Sequence, residues 1–193
     1  EADEYVQSDE GLPHVGNRSA SLSSVVLHYV VDLWFVKKIK PQMRGECHLV
    51  RYADDFIVMV QYADDAKFIA EALRERFAAF DLELHPDKTR VISFGRYEPE
   101  NAKRQNRKAH TFDFLGFTHY CGQSRKGTFL LGRKTSGKRF RKKCKVMKDW
   151  LKAIRNAKKV KEWWPMLKAK LTGHYQYYGV SGNYRSIKRF FAV

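Results

Sequence analysis

The sequence predicts an α+β fold in which antiparallel strands with packed helices precede a basic helical domain. One observation is an apolar, strand-like run at residues 47–60 that two adjacent aspartates interrupt. Another is the recurrence of apolar residues at spacings of three and four in other segments, which indicates amphipathic helices. The third is a steep charge asymmetry. Residues 1–95 hold 11 Lys and Arg against 16 Asp and Glu, a net charge of −5, whereas residues 96–193 hold 26 against 5, a net charge of +21.

The composition limits the class of protein. With 193 residues and 44% hydrophobic content, the chain can bury a core in one or two domains. It has no apolar run long enough to span a bilayer and no basic, apolar signal-peptide start, so we expect no membrane association. Its three cysteines are widely spaced, which argues against a disulfide framework or a zinc site and fits a reducing cytoplasm. The basic second half predicts a polyanionic partner, most simply nucleic acid.

The first predicted element is a helix that runs to about Lys38. The preceding residues 1–17 are acidic and then interrupted by Gly and Pro, which indicates an extended arm and a loop. Ser19 or Ser21 is suited to cap the helix. Its apolar face consists of Leu22, Val25, Val26, Tyr29, Val30, Leu33 and Trp34.

The segment Tyr52-Ala53-Asp54-Asp55 places two carboxylates between apolar flanks. Those flanks are rich in β-branched and aromatic residues, so we expect two strands that form a hairpin with Asp54 and Asp55 at its tip. Adjacent carboxylates repel each other unless a cation neutralises them, and hard oxygen ligands suit Mg²⁺. The pair therefore predicts a metal site, and a solvated Asp-Asp turn is the simpler alternative.

An identical tetrapeptide follows at residues 62–65 in a different context. Apolar residues at helical spacing come after it, so Asp64 and Asp65 fall in the first turn of a predicted helix. Acids in a first turn interact with its free N–H groups and with the helix dipole. We interpret this copy as a helix cap rather than a metal site. Residues 89–94 are predicted to form a third strand.

The second half is predicted to change from loop and strand to helix. Residues 95–110 carry five cations without an apolar period, which predicts a basic loop. Residues 112–118 and 128–131 are predicted to pair as a hairpin. A basic amphipathic helix is predicted from Ser136, and a second helix has Pro165 in its first turn. This change of pattern predicts one domain over residues 1–120 and another over residues 121–193.

Several motifs occur in a familiar order. Tyr52-Ala53-Asp54-Asp55 in a hairpin precedes a helix, then Leu82-x-Leu84-x-x-x-Lys88-Thr89, then Phe114-Leu115-Gly116-Phe117. The chain thereby resembles the palm of a reverse transcriptase, and more narrowly the group II intron-encoded reverse transcriptase/maturase family. The ending Gly173-His174-Tyr175-x-Tyr177-Tyr178-Gly179-Val180 is similar to that family's thumb, or maturase X, region. The resemblance extends from about Gly11 to the end of the chain.

The resemblance implies an RNA-directed DNA polymerase with a two-metal mechanism. Two Mg²⁺ ions would activate the primer 3′-hydroxyl and stabilise the leaving pyrophosphate. Asp54 would be the main metal-bridging carboxylate and Asp55 its support, while Lys88 would lie near the triphosphate as a possible proton donor. The positions implied to contact dNTP or primer are Tyr52, Ala53, Pro13, Gly16, Leu115 and Gly116.

The resemblance also implies that residues 136–193 hold template RNA and intron RNA. Phosphate contacts and aromatic stacking are the expected modes of binding. The residues expected to bind RNA are Arg139, Lys142, Lys143, Lys145, Tyr175 and Tyr178. A DNA primer and dNTPs are the other implied partners.

Two departures from the family pattern affect the functional expectation. The family carries another catalytic aspartate on an earlier palm strand, and we expect that strand and the fingers to lie outside these 193 residues. The family's Gly-x-Pro-Gln-Gly-Gly loop also reads Gly11-Leu12-Pro13-His14-Val15-Gly16 here. The β-branched Val15 therefore replaces a Gly where the backbone is expected to approach the nucleotide closely.

Two functions are compatible with these observations. The leading hypothesis is the C-terminal part of an RNA-directed DNA polymerase of group II intron type, which needs a complementing N-terminal segment for activity. The alternative is a non-catalytic, maturase-like RNA-binding protein that assists intron splicing or folding. The altered loop and the expected lack of the further palm aspartate favour the alternative.

Overall fold

The structure is a computed structural model that describes residues 17–192, with side chains from residue 21 onward. It is 53% helical and 17% strand, and its paired strands are antiparallel, which confirms the predicted α+β class. No helix in the described part of the chain is long and apolar enough to cross a membrane.

The chain divides into two compact units, Glu1–Val91 and Ile92–Val193. This division lies about thirty residues before the predicted boundary between residues 120 and 121. The reason is that a continuous three-stranded sheet includes residues on both sides of position 120. A functional division into a palm and a thumb stays a prediction.

The described part of the first unit, from residue 17, starts with one long helical segment, as predicted. Helix α1 continues without a break into two π-helical stretches and a 3₁₀ turn, and the terminal turn contains Pro41. A two-stranded hairpin and a second long helix follow. The bounds are α1 (Asn17–Leu27), π-helical His28–Leu33 and Phe35–Ile39, 3₁₀ Lys40–Gln42, β1 (Cys47–Tyr52), β2 (Asp55–Val60) and α2 (Ala63–Ala78).

The hairpin has one face on the core and one face outward. Side chains alternate along a strand, so Cys47, Leu49 and Arg51 share the inner face of β1. Their partners across the hairpin are Val60, Val58 and Phe56. The inner face packs against the helices in a core of buried residues. These are Val30, Val31, Phe35, Ile39, Cys47, Ile69, Leu73 and Phe77.

The predicted strand at residues 89–94 is wrong. Residues 86–88 form a turn, and residues 89–94 have no regular secondary structure. A strand needs a hydrogen-bonded neighbour, and no strand in the described part of the chain pairs with this segment. The β-branched composition of the segment therefore did not decide its conformation.

The second unit combines a three-stranded antiparallel sheet with helices. The strand order is β3-β4-β5. The bounds are α3 (Glu98–Arg104), β3 (Thr111–Phe114), β4 (Phe117–Gln123), β5 (Phe129–Thr135), α4 (Gly137–Arg155), α5 (Val160–Tyr178) and α6 (Tyr184–Phe191).

Three sequence predictions for the second unit need correction. The basic segment 95–110 is not a loop throughout, since it contains α3. Residues 112–118 do not form one strand, because Leu115 and Gly116 both have positive φ and turn the chain between β3 and β4. Pro165 lies in the second turn of α5 rather than the first. The basic amphipathic helix predicted from Ser136 is confirmed as α4.

Candidate active site at the hairpin tip

The two carboxylates of the hairpin lie at its tip, as the sequence predicts. Tyr52 pairs with Asp55, so Ala53 and Asp54 form a two-residue turn. Asp54 and Asp55 are exposed, and Asp55 lies on the outward face together with Tyr52. Within residues 21–192, neither carboxylate is engaged in a hydrogen bond or an ion pair. Both are therefore open to a cation from solvent.

The second copy of the tetrapeptide differs from the first because its carboxylates are paired with an arginine of the protein. Asp64 and Asp65 lie in the first turn of α2, as predicted, although no side chain makes an N-terminal capping hydrogen bond there. Instead, Arg44 bridges both carboxylates, with Nη2 at 3.3 Å from Asp64 Oδ2 and Nε at 3.5 Å from Asp65 Oδ1. Its guanidinium also lies over the Tyr62 ring, 5.1 Å from the ring centroid.

An arginine supports the turn of the first copy from its inner side. Arg51 lies on the core face of β1, and its side chain is 12% exposed. Its Nε donates to Asp32 Oδ1 at 2.8 Å, its Nη2 to Asp32 Oδ2 at 2.5 Å, and its Nη1 to the Ala53 carbonyl at 2.9 Å. Arg51 thus joins the π-helical stretch to the turn that carries Asp54.

The electrostatics of the Asp32–Arg51 pair follow from this geometry. The hydrogen bonds from Arg51 lower the pKa of Asp32, and a further hydrogen bond with His28 acts in the same direction. The same bonds to Asp32 raise the pKa of Arg51. The pair is therefore ionised on both sides, as a partly buried arginine requires.

The sequence predictions missed the Asp32–Arg51 pair. A usable signal was present, because Arg51 occupies an inward position in the alternation of β1, and an inward arginine needs a buried partner. The partner could not be identified from the sequence, since Asp32 is 19 residues away on another element.

The other positions predicted to bind nucleotide differ in where they lie relative to the hairpin tip. Tyr52 and Ala53 lie at the tip beside the carboxylates and are exposed. Lys88 is exposed in a turn, and among the described residues no hydrogen bond or ion pair connects it with Asp54 or Asp55. Pro13 and Gly16 lie outside the described residues. Their nucleotide-binding roles stay predictions.

Leu115 and Gly116 form the turn of the β3-β4 hairpin in the second unit. The motif Phe114–Phe117 spans the end of β3, this turn and the start of β4. Gly116 is buried, with Tyr178 Oη and Arg139 Cδ close to the position that a Cβ would occupy. The Leu115 carbonyl accepts a hydrogen bond of 2.8 Å from Tyr177 Oη. Contact with a primer stays a prediction.

The residues predicted to bind RNA fall into two groups. Arg139, Lys142, Lys143 and Lys145 are exposed on α4. Tyr178 is only 4% exposed and packs against other aromatic rings, including Phe117 at 5.3 Å between ring centroids. A ring enclosed in this way cannot stack on a base, so the role predicted for Tyr178 is wrong for this conformation.

Tyr175 is partly buried, and its hydroxyl has no hydrogen-bond partner in the described part of the chain. Its predicted RNA contact stays a prediction.

The comparison with protein families decides the class of this protein. A family model described as reverse transcriptase (RNA-dependent DNA polymerase) matches residues 5–119, which is more than half of the chain. The chain belongs to the reverse transcriptase family. The match includes the hairpin with Asp54 and Asp55 and ends within the sheet of the second unit. Neither the comparison with curated proteins nor that with solved structures gives a match.

Membership of the reverse transcriptase family implies nucleic acid and nucleotide substrates and a divalent metal. The donor atoms at the hairpin tip fit such a metal in kind, because exposed carboxylate oxygens suit Mg²⁺. They are few in number, since no three His, Cys, Asp or Glu side chains in the described part of the chain cluster closely enough to hold a metal ion. A metal site at Asp54 and Asp55 therefore stays a prediction.

Proposed function

We propose that this chain is part of an RNA-directed DNA polymerase of group II intron type. In this proposal the first unit supplies the palm hairpin, and residues 121–193 act as a thumb, or maturase X, region. A complementing reverse transcriptase segment supplies the fingers and the further palm aspartate. The observation that carries the proposal is the contrast between two identical tetrapeptides: among the side chains of residues 21–192, the second copy is paired with Arg44 and the hairpin copy has no such partner.

The contrast supports a metal site because the two tetrapeptides have the same sequence and differ in the side chains that surround them. Arg44 forms ion pairs with both Asp64 and Asp65, so the second copy has a cation of the protein's own beside it. Asp54 and Asp55 have no such partner among the described side chains. Adjacent unpaired carboxylates repel each other, and a bound divalent cation relieves that repulsion.

The protein's own residues bind and orient the reactants in this mechanism. Asp54, in the turn, would be the main metal ligand and Asp55 a supporting ligand. When bound, the Mg²⁺ ions supply the Lewis acidity for attack of the primer 3′-hydroxyl and departure of pyrophosphate. Tyr52 lies on the same outward face as Asp55 and would contact the primer or the incoming dNTP.

Helix α4 supports binding of RNA through phosphates. Its 19 residues contain nine Lys and Arg against one Asp, a net charge of +8. None of the nine takes part in an ion pair within residues 21–192. A solvated helix face is the simpler explanation of any single lysine, but an unpaired charge of this density favours a polyanion.

The experiment is primer extension on an RNA template with Mg²⁺ and a complementing reverse transcriptase segment. We expect Asp54→Asn and Asp55→Asn to reduce label incorporation by at least 100-fold. Asp64→Asn is the matched control, because it alters the same tetrapeptide in the copy that is paired with Arg44, and it should retain activity. Incorporation that persists in Asp54→Asn, or that is lost equally in Asp64→Asn, contradicts the assignment.

A maturase-like function without polymerisation is the second candidate, and the basic face of α4 favours it because RNA binding there needs no carboxylate. The two functions differ in their dependence on Asp54 and Asp55. RNA affinity and intron splicing that are unchanged in the Asp54→Asn, Asp55→Asn double variant, together with no primer extension by the unaltered chain, would support the maturase-like function alone.

A further inference from the structure

The inference concerns the side of the hairpin turn opposite the carboxylates, and it rests on the proposed function of Asp54 and Asp55. Arg51 contacts two separate parts of the first unit with one guanidinium. Two of its nitrogens hold the carboxylate of Asp32 at 2.8 and 2.5 Å. The third donates to the carbonyl of Ala53 at 2.9 Å, and Ala53 directly precedes Asp54.

The backbone at this point needs external support. Ala53 has a φ of 53°, in the left-handed region that is unfavourable for a residue with a Cβ. Such conformations persist where the surrounding structure holds them, and they occur frequently at functional sites. The hydrogen bond from Arg51 to the Ala53 carbonyl fixes the orientation of the Ala53–Asp54 peptide plane.

Asp32, which anchors Arg51, is itself held in place by the helix that carries it. Asp32 lies in the π-helical stretch between the buried residues Val31 and Phe35, so its backbone cannot shift without disturbing the core. A planar fork that binds a carboxylate through two nitrogens is geometrically stricter than a contact made by an ammonium group. The position of Asp54 therefore depends on the helix core as well as on the exposed hairpin.

We propose that Asp32 and Arg51 form a clamp that positions the Ala53–Asp54 turn for metal binding. Arg51 is a positioning residue, since it acts through the Ala53 carbonyl and contacts no reacting atom. Groups that orient metal ligands from behind typically change metal affinity or activity by about 10- to 100-fold when they are removed. Template and primer affinity should depend little on the clamp.

The first test measures the turn itself. Hydrogen–deuterium exchange of the full chain should show at least tenfold faster exchange of the amides at residues 53–55 in Arg51→Gln than in the unaltered protein. Arg51→Lys should behave similarly, because a lysine cannot bridge Asp32 and Ala53 with a planar fork. Asp32→Asn, which keeps the guanidinium, should give a smaller change. Arg44→Gln is the matched control and should leave these amides unchanged.

The second test measures function with the complementing segment present. Arg51→Gln should lower kcat about 10- to 100-fold and raise the Mg²⁺ concentration at half-maximal rate, while the Kd for template-primer stays within about twofold. Unchanged exchange and an unchanged Mg²⁺ requirement in Arg51→Gln overturn the clamp. Equal losses in Arg44→Gln also overturn it, because they indicate general destabilisation.

The two tests keep this inference separate from the proposed function. Asp54→Asn should abolish primer extension and leave the exchange at residues 53–55 within about twofold of the unaltered protein. If Asp54→Asn stays active while Arg51→Gln loosens the turn, the proposed function fails. The geometric role of Arg51 then holds without a catalytic consequence.

Discussion

Tyr177 on α5 donates a 2.8 Å hydrogen bond to the carbonyl of Leu115, in the turn between β3 and β4. The two residues are 62 positions apart in the chain. The ring of Tyr177 also stacks on Phe117, with centroids 5.9 Å apart and planes inclined by 16°. The end of α5 thus holds the Phe114–Phe117 turn from one side, so the shape of that turn depends on the helix.

Replacing Tyr177 with Phe should isolate the contribution of this hydrogen bond, because the ring and its stacking on Phe117 are retained. We expect a loss of about 0.5–1 kcal/mol in the free energy of unfolding, which is typical of one partly exposed hydrogen bond. Urea unfolding followed by tryptophan fluorescence measures it. Tyr184→Phe is the control, since Tyr184 is 72% exposed. Equal effects of the two substitutions contradict the prediction.

Two glycines with similar backbone conformations should differ in their tolerance of alanine. Gly116 has a φ of +81° and Gly127 a φ of +77°, so a Cβ is strained at both by about 1–2 kcal/mol. At Gly116 the added carbon lies 3.2 Å from Tyr178 Oη and 3.3 Å from Arg139 Cδ, whereas at Gly127 no atom lies within 4 Å.

Gly116→Ala should therefore cost on the order of 1 kcal/mol more than Gly127→Ala, since the close contacts add to the strain. Thermal unfolding of the two variants measures the difference. A cost at Gly127 equal to or greater than that at Gly116 shows that backbone strain alone controls both sites.

The buried carboxylate of Glu98 should give the second unit an acid-sensitive stability. Arg107 donates to Glu98 at 2.6 and 3.2 Å, and the His110 backbone donates at 2.9 Å. Hydrogen bonds from Arg107 are the largest cause of the lowered pKa of Glu98, which falls from 4.5 to about 2. A lowered folded-state pKa stabilises the fold above the unfolded-state value. The stabilisation is lost as the pH falls from about 4.5 to about 2.

Glu98→Gln should remove this part of the pH dependence and lower the free energy of unfolding at pH 7 by on the order of 3 kcal/mol. Urea unfolding between pH 2 and pH 7 tests it, with tryptophan fluorescence as the signal. Glu100→Gln is the control, because Glu100 lies on the same helix and is exposed. A Glu98→Gln variant whose stability falls with acid as steeply as that of the unaltered protein contradicts the prediction.

The exposed lysines of α4 should determine the salt dependence of RNA binding. Each phosphate contact contributes about 0.7 to the slope of log affinity against log salt for a single strand. Replacing Lys142, Lys143 and Lys145 with Ala should therefore reduce the slope by about 2. Fluorescence anisotropy with a labelled RNA at several salt concentrations measures it.

The control for the α4 variant removes three exposed lysines from the first unit, Lys37, Lys38 and Lys67. This variant has the same net charge as the α4 variant. If RNA binding follows the total charge alone, the two variants will have equal slopes, and the assignment of RNA binding to α4 will be wrong.

The sequence predicted features that depend on local pattern. The long first helix, the hairpin at Asp54 and Asp55, helix α2 after the second tetrapeptide and the basic helix α4 all occur where periodicity and turn residues indicated them. The strand predicted at residues 89–94 was wrong because strand-forming residues make a strand only when they can form hydrogen bonds with a neighbouring strand. The RNA-binding role predicted for Tyr178 was wrong because burial of one ring in a cluster of aromatics depends on packing between distant elements.

By itself, the sequence determined where the acidic pair lies and which half of the chain carries the positive charge, since both depend on local order and composition. Only the tertiary structure decided which of two identical tetrapeptides keeps its carboxylates free. Arg44 reaches Asp64 from 20 positions away, and Arg51 binds Asp32 from 19 positions away. Such pairings arise when folding brings separate elements together, and no local pattern specifies them.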